Sequence, residues 1–335
     1  FKLGYAPDAW DELRRALEGK GVSNIEAERV GLIARRRSGK GFYDRFRDRV
    51  IFPVHDAAGR VIAFGGRVLP GAPDDAPKYI NSPESPIFVK SRTLFGLHLA
   101  REAFRRKEHA ILVEGNLDVV SMHSKGFASA VAPMGTALTL EQVTLLQRFA
   151  GRESSVVVVF DGDEAGRAAT KKSHQAIAEA GLGARVVLLP PGEDPDSFLR
   201  RNGPESLATL IERAEGLVEY IIEDAAKAAK KDVRGKSLGI RALEPVVKAV
   251  RDPLARELYR RTIAREFGVE ETLVARYLRG DEAETKAEES RKIERRSARK
   301  SAEGAVVGSL LDYPELLAEA IEDGALNLVT DANVR

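Results

Sequence analysis

The stretches HAILVEGNLDVV (109–120) and SVVVVFDGDEAGRAA (155–169) decide how this sequence is read. Both run from an apolar strand into acid. His109–Val113 is a short apolar run that ends at Glu114, and Gly115 follows. Ser155–Phe160 is so uniformly apolar and β-branched that it reads as a strand buried on both faces. It ends at Asp161-Gly162-Asp163. In an extended segment residues i and i+2 point the same way, so the two aspartates are placed to face one ion. The glycine between them lets the chain turn sharply without a Cβ clash.

The surrounding segments supply the sheet. Leu117–Lys125 predicts a helix ending at Gly126, and Ala128–Ala132 a second strand. Thr139 starts a helix with Gln142 three residues later, the pattern of a capping box. Arg167–Ala180 predicts a helix stopped by Gly181. Arg185–Leu189 is a fourth strand, closed by Pro190-Pro191. Strands alternating with helices imply a parallel α/β sheet, and open sheets of this kind carry their sites at the strands' carboxyl ends. Carboxylates that converge there without a basic partner repel one another. A hard divalent cation with oxygen ligands relieves that repulsion.

A lone Asp-x-Asp after a strand also fits a receiver-domain pocket, a phosphatase nucleophile or the acidic end of a nucleotide-binding strand. The last of these lacks a preceding G-x-x-x-x-G-K-[ST]; Gly39-Lys40-Gly41 comes nearest and has no hydroxyl residue. A strand-end glutamate 47 positions before the Asp-x-Asp, with one βα unit between, is a much more specific signal. Glu193-Asp194-Pro195-Asp196 reads either as a turn with a helix cap or as further metal ligands.

Upstream the rhythm differs. Residues 1–30 read as loop and then helix, with Trp10, Leu13 and Leu17 at helical spacing. Arg49–Val54 and Arg60–Val68 read as strands around a turn at Asp56–Gly59. Residues 70–86 read as loop and 93–107 as helix. Between Arg35 and Arg67 stand nine basic residues (Arg35, Arg36, Arg37, Lys40, Arg45, Arg47, Arg49, Arg60, Arg67) against Asp44, Asp48 and Asp56, a net of +6. Such a cluster is either a solvated basic face or one that neutralises phosphates. Lys78-Tyr79-Ile80-Asn81-Ser82-Pro83 interleaves a cation, an aromatic ring and an amide, which suits a phosphate or an unstacked base. Trp10 reads as a core or loop anchor. The five histidines have no metal-ligand spacing.

The whole chain of 335 residues is 43% apolar and 31% charged with a net charge of +2, enough for roughly two domains with a sizeable core. With no cysteine it holds no disulfide scaffold, Cys-ligated zinc site, iron–sulfur site or cysteine nucleophile. No apolar run approaches the ~18 residues of a membrane helix, and FKLGYAPDAW is not a signal peptide. Phe1 in first place suggests a chain beginning inside a longer product. Residues 196–279 read as helical with breaks at Gly203-Pro204, Gly235 and Asp252-Pro253. Residues 280–303 are almost wholly polar, and 305–328 regain helical periodicity, so the chain is expected to stop inside a third domain.

EGNLDVV (114–120) and VFDGDEAGRAA (159–169) resemble the two signatures of the TOPRIM fold. FKLGYAPDAWD (1–11), YDRFRDRVIFPVHDAAGRVIAFGGRVL (43–69), PKYINSPESPIFVKSRTLFGL (77–97), APMGTALTLEQ (132–142) and PPGEDPDSFLR (190–200) resemble the catalytic core of bacterial DnaG-type primases, over roughly residues 1–280. The segment around Tyr313-Pro314-Glu315-Leu316-Leu317 resembles the start of that family's helicase-binding domain.

The resemblance implies an α/β architecture. A basic α+β subdomain (1–106) precedes a TOPRIM parallel sheet (107–195) and a helical subdomain (196–279). A polar linker (280–303) and a truncated helicase-binding part (304–335) follow. The implied activity is RNA primer synthesis on single-stranded DNA from ribonucleoside triphosphates with Mg²⁺ or Mn²⁺. Zinc is expected only in a missing N-terminal domain. By motif position Glu114 is a candidate general base and metal-site residue. Asp161 and Asp163 match the metal-binding aspartates, and Asp118, Asp194 and Asp196 the additional acids. Arg45, Arg47, Arg67, Lys78, Tyr79, Asn81 and Lys90 match nucleotide- and template-contacting residues. Asn116 departs from the pattern, where an aromatic residue commonly stands. The expected partners are template DNA and the replicative helicase, with no membrane, at a cytoplasmic replication fork. Other TOPRIM enzymes (nucleases, topoisomerases) and a non-catalytic scaffold between DNA and helicase are the alternatives. No cleaving-tyrosine domain or P-loop supports the first, and the intact Glu114/Asp161/Asp163 set opposes the second.

Overall fold

The computed structural model describes residues 1–278, apart from 37–38, 74, 136, 152–154 and 163. Asp163, Arg37 and the segments 280–303 and 304–335 therefore lie outside the described residues. The chain divides into two compact units, Phe1–Phe267 and Gly268–Arg335. Within the second, residues 271–278 form a helix.

The first unit opens with β1 (Gly4–Ala6), α1 (Glu12–Glu18), α2 (Asn24–Arg29), β2 (Ile33–Arg35), β3 (Phe42–Asp44), β4 (Arg49–His55), β5 (Val61–Val68) and β6 (Tyr79–Asn81). The order β1-β4-β5-β6 makes an antiparallel sheet, and β2 pairs with β3. Residues 1–30 thus hold a strand and two helices where loop and one helix are expected. The 70–86 loop contains a strand, because β5 supplies its partner.

Next come β7 (Leu94–Phe95), α3 (Leu97–Arg105), β8 (Ala110–Leu112), α4 (Asn116–Ser124), β9 (Ala130–Pro133), α5 (Leu140–Ala150), β10 (Val156–Phe160), α6 (Glu164–Ala180) and β11 (Ala184–Leu188). Then follow α7 (Pro195–Glu212), β12 (Glu215–Gly216), α8 (Leu217–Ala228), α9 (Val233–Ala249) and α10 (Pro253–Phe267). The second sheet runs β12-β11-β10-β8-β9-β7. Its four inner strands are parallel, and the short edges β7 and β12 are antiparallel. Every residue of β8, β9 and β10 is buried, as expected of strands covered on both faces.

One core joins the two sheets. Phe52, Val54 and Ala63 of the first pack in a cluster with Phe88, Phe95, Val113, Val157 and Leu199. Each fully buried large side chain stabilises the fold by roughly 1.5–3 kcal/mol, so this shared core fixes the first sheet against the second. The capping box at Thr139 forms, with the Gln142 N–H donating to Thr139 Oγ1 at 3.2 Å and the Thr139 N–H to Gln142 Oε1 at 3.0 Å. Among the expected helix breaks, Gly203 takes φ 80° inside α7 and Pro253 opens α10. Gly235 is not a break, because α9 runs through it from an Asp232 cap.

Candidate active site

The acidic residues sit on the turns leaving the parallel strands. Glu114 lies two residues past β8, half-buried, just before α4. Asp118, in the first turn of α4, accepts the Gly115 N–H at 3.0 Å. Asp161 follows β10 directly. The glycine after it is required by close approach, not by a positive φ: a Cβ at Gly162 would lie 2.2 Å from the Leu189 carbonyl oxygen. The Gly162 N–H donates to the Glu193 carbonyl at 3.3 Å, which ties the exit of β10 to the exit of β11. Asp194 then caps α7, accepting the Ser197 N–H at 2.7 Å, and Asp196 pairs with Arg200 at 3.2 Å. The turn-and-cap reading of Glu193–Asp196 is therefore correct for Asp194.

These carboxylates are electrostatically coupled. Burial pushes the Asp118 carboxyl up to about 7, and Asp161, Asp194 and Glu114 add to the rise. Burial also pushes Asp194 up, yet hydrogen bonds from Ser197, with Arg200 and Arg67, carry it below the ordinary carboxylate value. Glu193 is buried, with Oε1 on Arg201 at 2.5 Å and Oε2 lacking a hydrogen-bond partner. Among the described residues no three His, Cys, Asp or Glu side chains close on one point as a ready-made ion cage. The donor set is nonetheless wholly carboxylate oxygen and mutually repelling, which fits a hard divalent ion that keeps several waters. Glu114, Asp118, Asp161 and Asp194 are the described residues that would hold it.

The basic side is held differently. Asp44, buried at the end of β3, accepts the backbone N–H groups of Leu13 at 2.7 Å and Arg14 at 3.0 Å, capping α1 from a distant strand. Its carbonyl accepts a hydrogen bond from Arg47. The Arg47 guanidinium lies 4.2 Å from the centre of the Trp10 ring and 5.2 Å from that of Tyr43. Trp10 is 54% exposed, so it is not a core anchor; it forms an open platform with the arginine against it. Asp48 closes this turn at φ +46°, a strained value for a non-glycine residue, and the Tyr5 hydroxyl holds its carboxylate at 2.7 Å. Sequence reasoning missed this brace because its members are over forty positions apart.

Not every basic residue of the cluster points to a ligand. Arg35 pairs with Glu28 at 2.8 Å and Arg60 with Asp56 at 2.7 Å. Arg49 is buried and donates to the Pro77 carbonyl at 2.8 Å. Arg45 keeps a buried Nε with no hydrogen-bond partner. Lys78 is exposed. Lys90 lies on a short turn whose carbonyl accepts the buried Gln142 amide at 2.8 Å. Asn81 bridges the two sheets, donating to the Met134 carbonyl at 3.2 Å.

The two halves meet at Arg67 and Tyr79. Arg67 lies over the Tyr79 ring at 5.4 Å and lowers Asp194. Burial raises the Tyr79 phenol, Arg67 opposes this, and Asp118 and Asp194 push it higher. The basic sheet thus reaches the carboxylates. Gly65 in β5 makes room: a Cβ there would lie 2.9 Å from the Asn116 amide nitrogen and 3.1 Å from Asn81 Oδ1. Asn116 is buried in that contact, so its departure from the aromatic pattern fills the seam between the sheets.

Comparison with known proteins agrees in order along the chain. Residues 1–101 match the N-terminal domain of the DNA primase catalytic core, 111–199 a Toprim-like domain, and 218–272 a DnaB-helicase binding domain of primase. The Toprim-like match carries divalent-metal use with it. The helicase-binding match falls on α8–α10. The DNA primase of Clostridium acetobutylicum is 39% identical over 275 residues, 82% of this chain and 44% of that protein. This chain spans less than half the length of the curated relatives it matches. A DNA primase domain from Pseudomonas aeruginosa superimposes with a TM-score of 0.73 at 35% identity, covering 83% of this chain and 87% of that one. A DnaG primase catalytic domain bound to single-stranded DNA gives 0.69 at 32% identity, over 81% and 84% of the two chains. Sequence, fold and domain order converge, and the chain belongs to the bacterial DnaG-type DNA primases.

Proposed function

We propose that this chain is the polymerising core of a primase, joining ribonucleoside triphosphates into short RNA on a single-stranded DNA template. The observation that carries the reading is the Arg67–Tyr79 pair, 5.4 Å apart beside the seam where Asn81 and Asn116 close on Gly65, in electrostatic reach of Asp118 and Asp194. A triphosphate needs cations along its phosphates and carboxylates that hold metal at the reacting phosphorus, and the seam between the sheets offers both. Segments 1–106, 107–195 and 196–279 act in this reading as one catalytic unit.

Mg²⁺ or Mn²⁺, when bound, supplies charge neutralisation for attack of the 3′-hydroxyl on the α-phosphate and departure of pyrophosphate. Glu114, Asp161 and Asp163 would hold that ion, with Glu114 the candidate base for the proton. Asp118, Asp194 and Asp196 would complete the metal-holding acidic wall, with Asp196 also paired along α7 to Arg200. Arg67, Lys78 and Lys90 steer the triphosphate, while Asn81 keeps the seam in register. Arg45 and Arg47 track the template backbone, where contact to phosphate positions the strand without reading its sequence. A related catalytic domain with single-stranded DNA bound supports the template assignment. The helicase-binding match supports recruitment to the cytoplasmic replication fork.

Incubation of the chain with single-stranded template, ribonucleoside triphosphates and Mg²⁺ or Mn²⁺ tests the reading. Short RNA is expected. Cleaved DNA in its place would point to a nuclease or topoisomerase. Binding to DNA and helicase with no RNA in either metal would leave a scaffold.

A further inference from the structure

Gln142 is fully buried in α5, so no substrate touches it, yet it holds a residue that the chemistry above uses. Lys90 opens a three-residue 3₁₀ turn, Lys90–Arg92, between β6 and β7. A turn this short makes too few bonds of its own to fix its geometry. Its main chain is fastened from outside. The Lys90 N–H donates to Glu84 Oε1 at 3.0 Å. Gln142 Nε2 donates to the Lys90 carbonyl at 2.8 Å and to the Thr93 carbonyl at 2.9 Å. Thr139 Oγ1 donates to the Ser91 carbonyl at 2.6 Å. The carbonyls of residues 90, 91 and 93 are thus all held from the start of α5.

Glutamine is the side chain this position requires. Its amide carries two N–H donors and an acceptor oxygen, and each is used, the oxygen taking the Thr139 N–H at 3.0 Å. A methionine keeps the volume and loses every one of these bonds. The bond to Thr93 is buried, so a carbonyl left unpaired there has little water to turn to. The loop that enters α5 leaves β9 at Met134, whose carbonyl accepts the Asn81 amide at 3.2 Å. The anchor of the Lys90 turn is therefore continuous with the contact that bridges the two sheets.

We infer that Gln142 is a positioning residue of nucleotide addition, setting the main chain from which Lys90 meets the triphosphate, with Thr139 assisting through Ser91. A lysine head rides on a flexible four-carbon stem, so it is aimed only as well as its main chain is fixed. Misplacement by about 1 Å is enough to cost a contact of this kind. The effect falls on nucleotide affinity and not on the metal-assisted step, because the carboxylates are carried by other turns. The inference rests on the reading of Lys90 as a triphosphate contact.

The test measures kcat and KM for ribonucleoside triphosphates in RNA synthesis on single-stranded template. The proteins are the parent, Gln142→Met, Lys90→Ala and the double variant, assayed below the lowest melting temperature of the set. Lys90→Ala is expected to raise KM about tenfold. Gln142→Met raises it about threefold to tenfold with kcat within about twofold. The double variant stays within about twofold of Lys90→Ala, because the glutamine acts only through the lysine. Thr139→Val raises KM part of the way and Thr139→Ser restores it, a comparison that holds even if Gln142→Met fails to fold. Three outcomes overturn the inference: KM unchanged in Gln142→Met and Thr139→Val, effects that multiply in the double variant, or a loss confined to kcat. KM unchanged in Lys90→Ala alone overturns the triphosphate role of Lys90 and the inference with it. Failure of the parent to make RNA overturns the polymerase reading, so each failure is recognised by a different protein.

Discussion

The acidic end of the parallel sheet and the arginine turn of the first sheet are opposite electrostatic devices. At the acidic end, burial, with like charges packed beside it, makes Asp118 hold its proton up to about 7. The sheet core supplies the energy that keeps them together. At the arginine turn, Arg47 is held by a carbonyl and two aromatic rings. None of these partners cancels its charge. Arg35 and Arg60, in the same basic run, are neutralised by glutamate and aspartate. A cation positioned by neutral groups keeps its full attraction for phosphate, whereas one positioned by a carboxylate has lost most of it. In the proposed reading, the contrast separates arginines that serve a ligand from those that serve the fold.

The largest effect is expected at the acidic end. Asp161→Ala or Glu114→Ala should lower RNA synthesis by about 10³-fold, since several kcal/mol of metal-borne charge stabilisation is lost. Full synthesis by either variant in a primer-extension assay would break the site assignment. The next effect belongs to the arginine turn. Arg47→Ala should weaken single-stranded DNA binding about tenfold and make the salt dependence shallower by about one ion. Trp10→Ala leaves the charge but loosens its seat, so binding falls severalfold while the salt slope stays. A slope that changes equally in both variants, measured by anisotropy across a salt series, would refute the division of labour.

The acidic end was more legible in sequence than the basic one, for a physical reason. Strand-end acids are announced locally, by an apolar run, an acid and a glycine, and Glu114 and Asp161 stand where that pattern puts them. The capping box at Thr139 is equally local. The second task of Gln142, donating to the Lys90 and Thr93 carbonyls, is not visible, because its partners lie about fifty positions away. The same holds for β1 and β6, three-residue strands that exist only because β4 and β5 pair with them. Gly235 looked like a break by composition. Asp232 caps the helix there, and the Lys230 carbonyl oxygen lies 2.4 Å from where a Cβ would stand, so only glycine fits that first turn. Of the two readings of Trp10, core or loop anchor, the exposed ring fits the second, because apolar spacing shows which residues share a face but not whether that face is covered.

A neutral pair offers a third way of handling charge. His55 and His98 stack at 4.1 Å between ring centres. Burial lowers His98 to about 4, with His55 adding to the effect, and burial lowers His55 as well. Both are held neutral in the fold, while in the unfolded chain they titrate near the ordinary value of ~6.5. Unfolding therefore takes up protons between these values, and stability falls as pH drops from about 6.5 towards 4. His98→Phe keeps the stack and removes the proton site, so its unfolding free energy from denaturant melts should lose ~2 kcal/mol less than the parent's between pH 7.5 and pH 4.5, with partial exposure allowed for. Parallel losses in the two proteins would show that other groups control the acid limb.

The smallest effect is the one on which the comparison of arginines depends. Arg60 stands inside the run that nets +6, and a count of charges gives it the same weight as Arg47. Its guanidinium is already on Asp56 at 2.7 Å, and Asp56 also accepts the Arg60 and Ala58 N–H groups at 2.9 Å. The pair closes the hairpin between β4 and β5 at the surface, where such bridges are worth about 0–1 kcal/mol. Arg60→Ala should leave DNA affinity within about twofold and the salt slope unchanged, because no phosphate counterion is released there. If Arg60→Ala instead flattened the slope as much as Arg47→Ala, total charge and not its seating would govern template binding. The carbonyl and aromatic seat of Arg47 would then be a feature of packing alone.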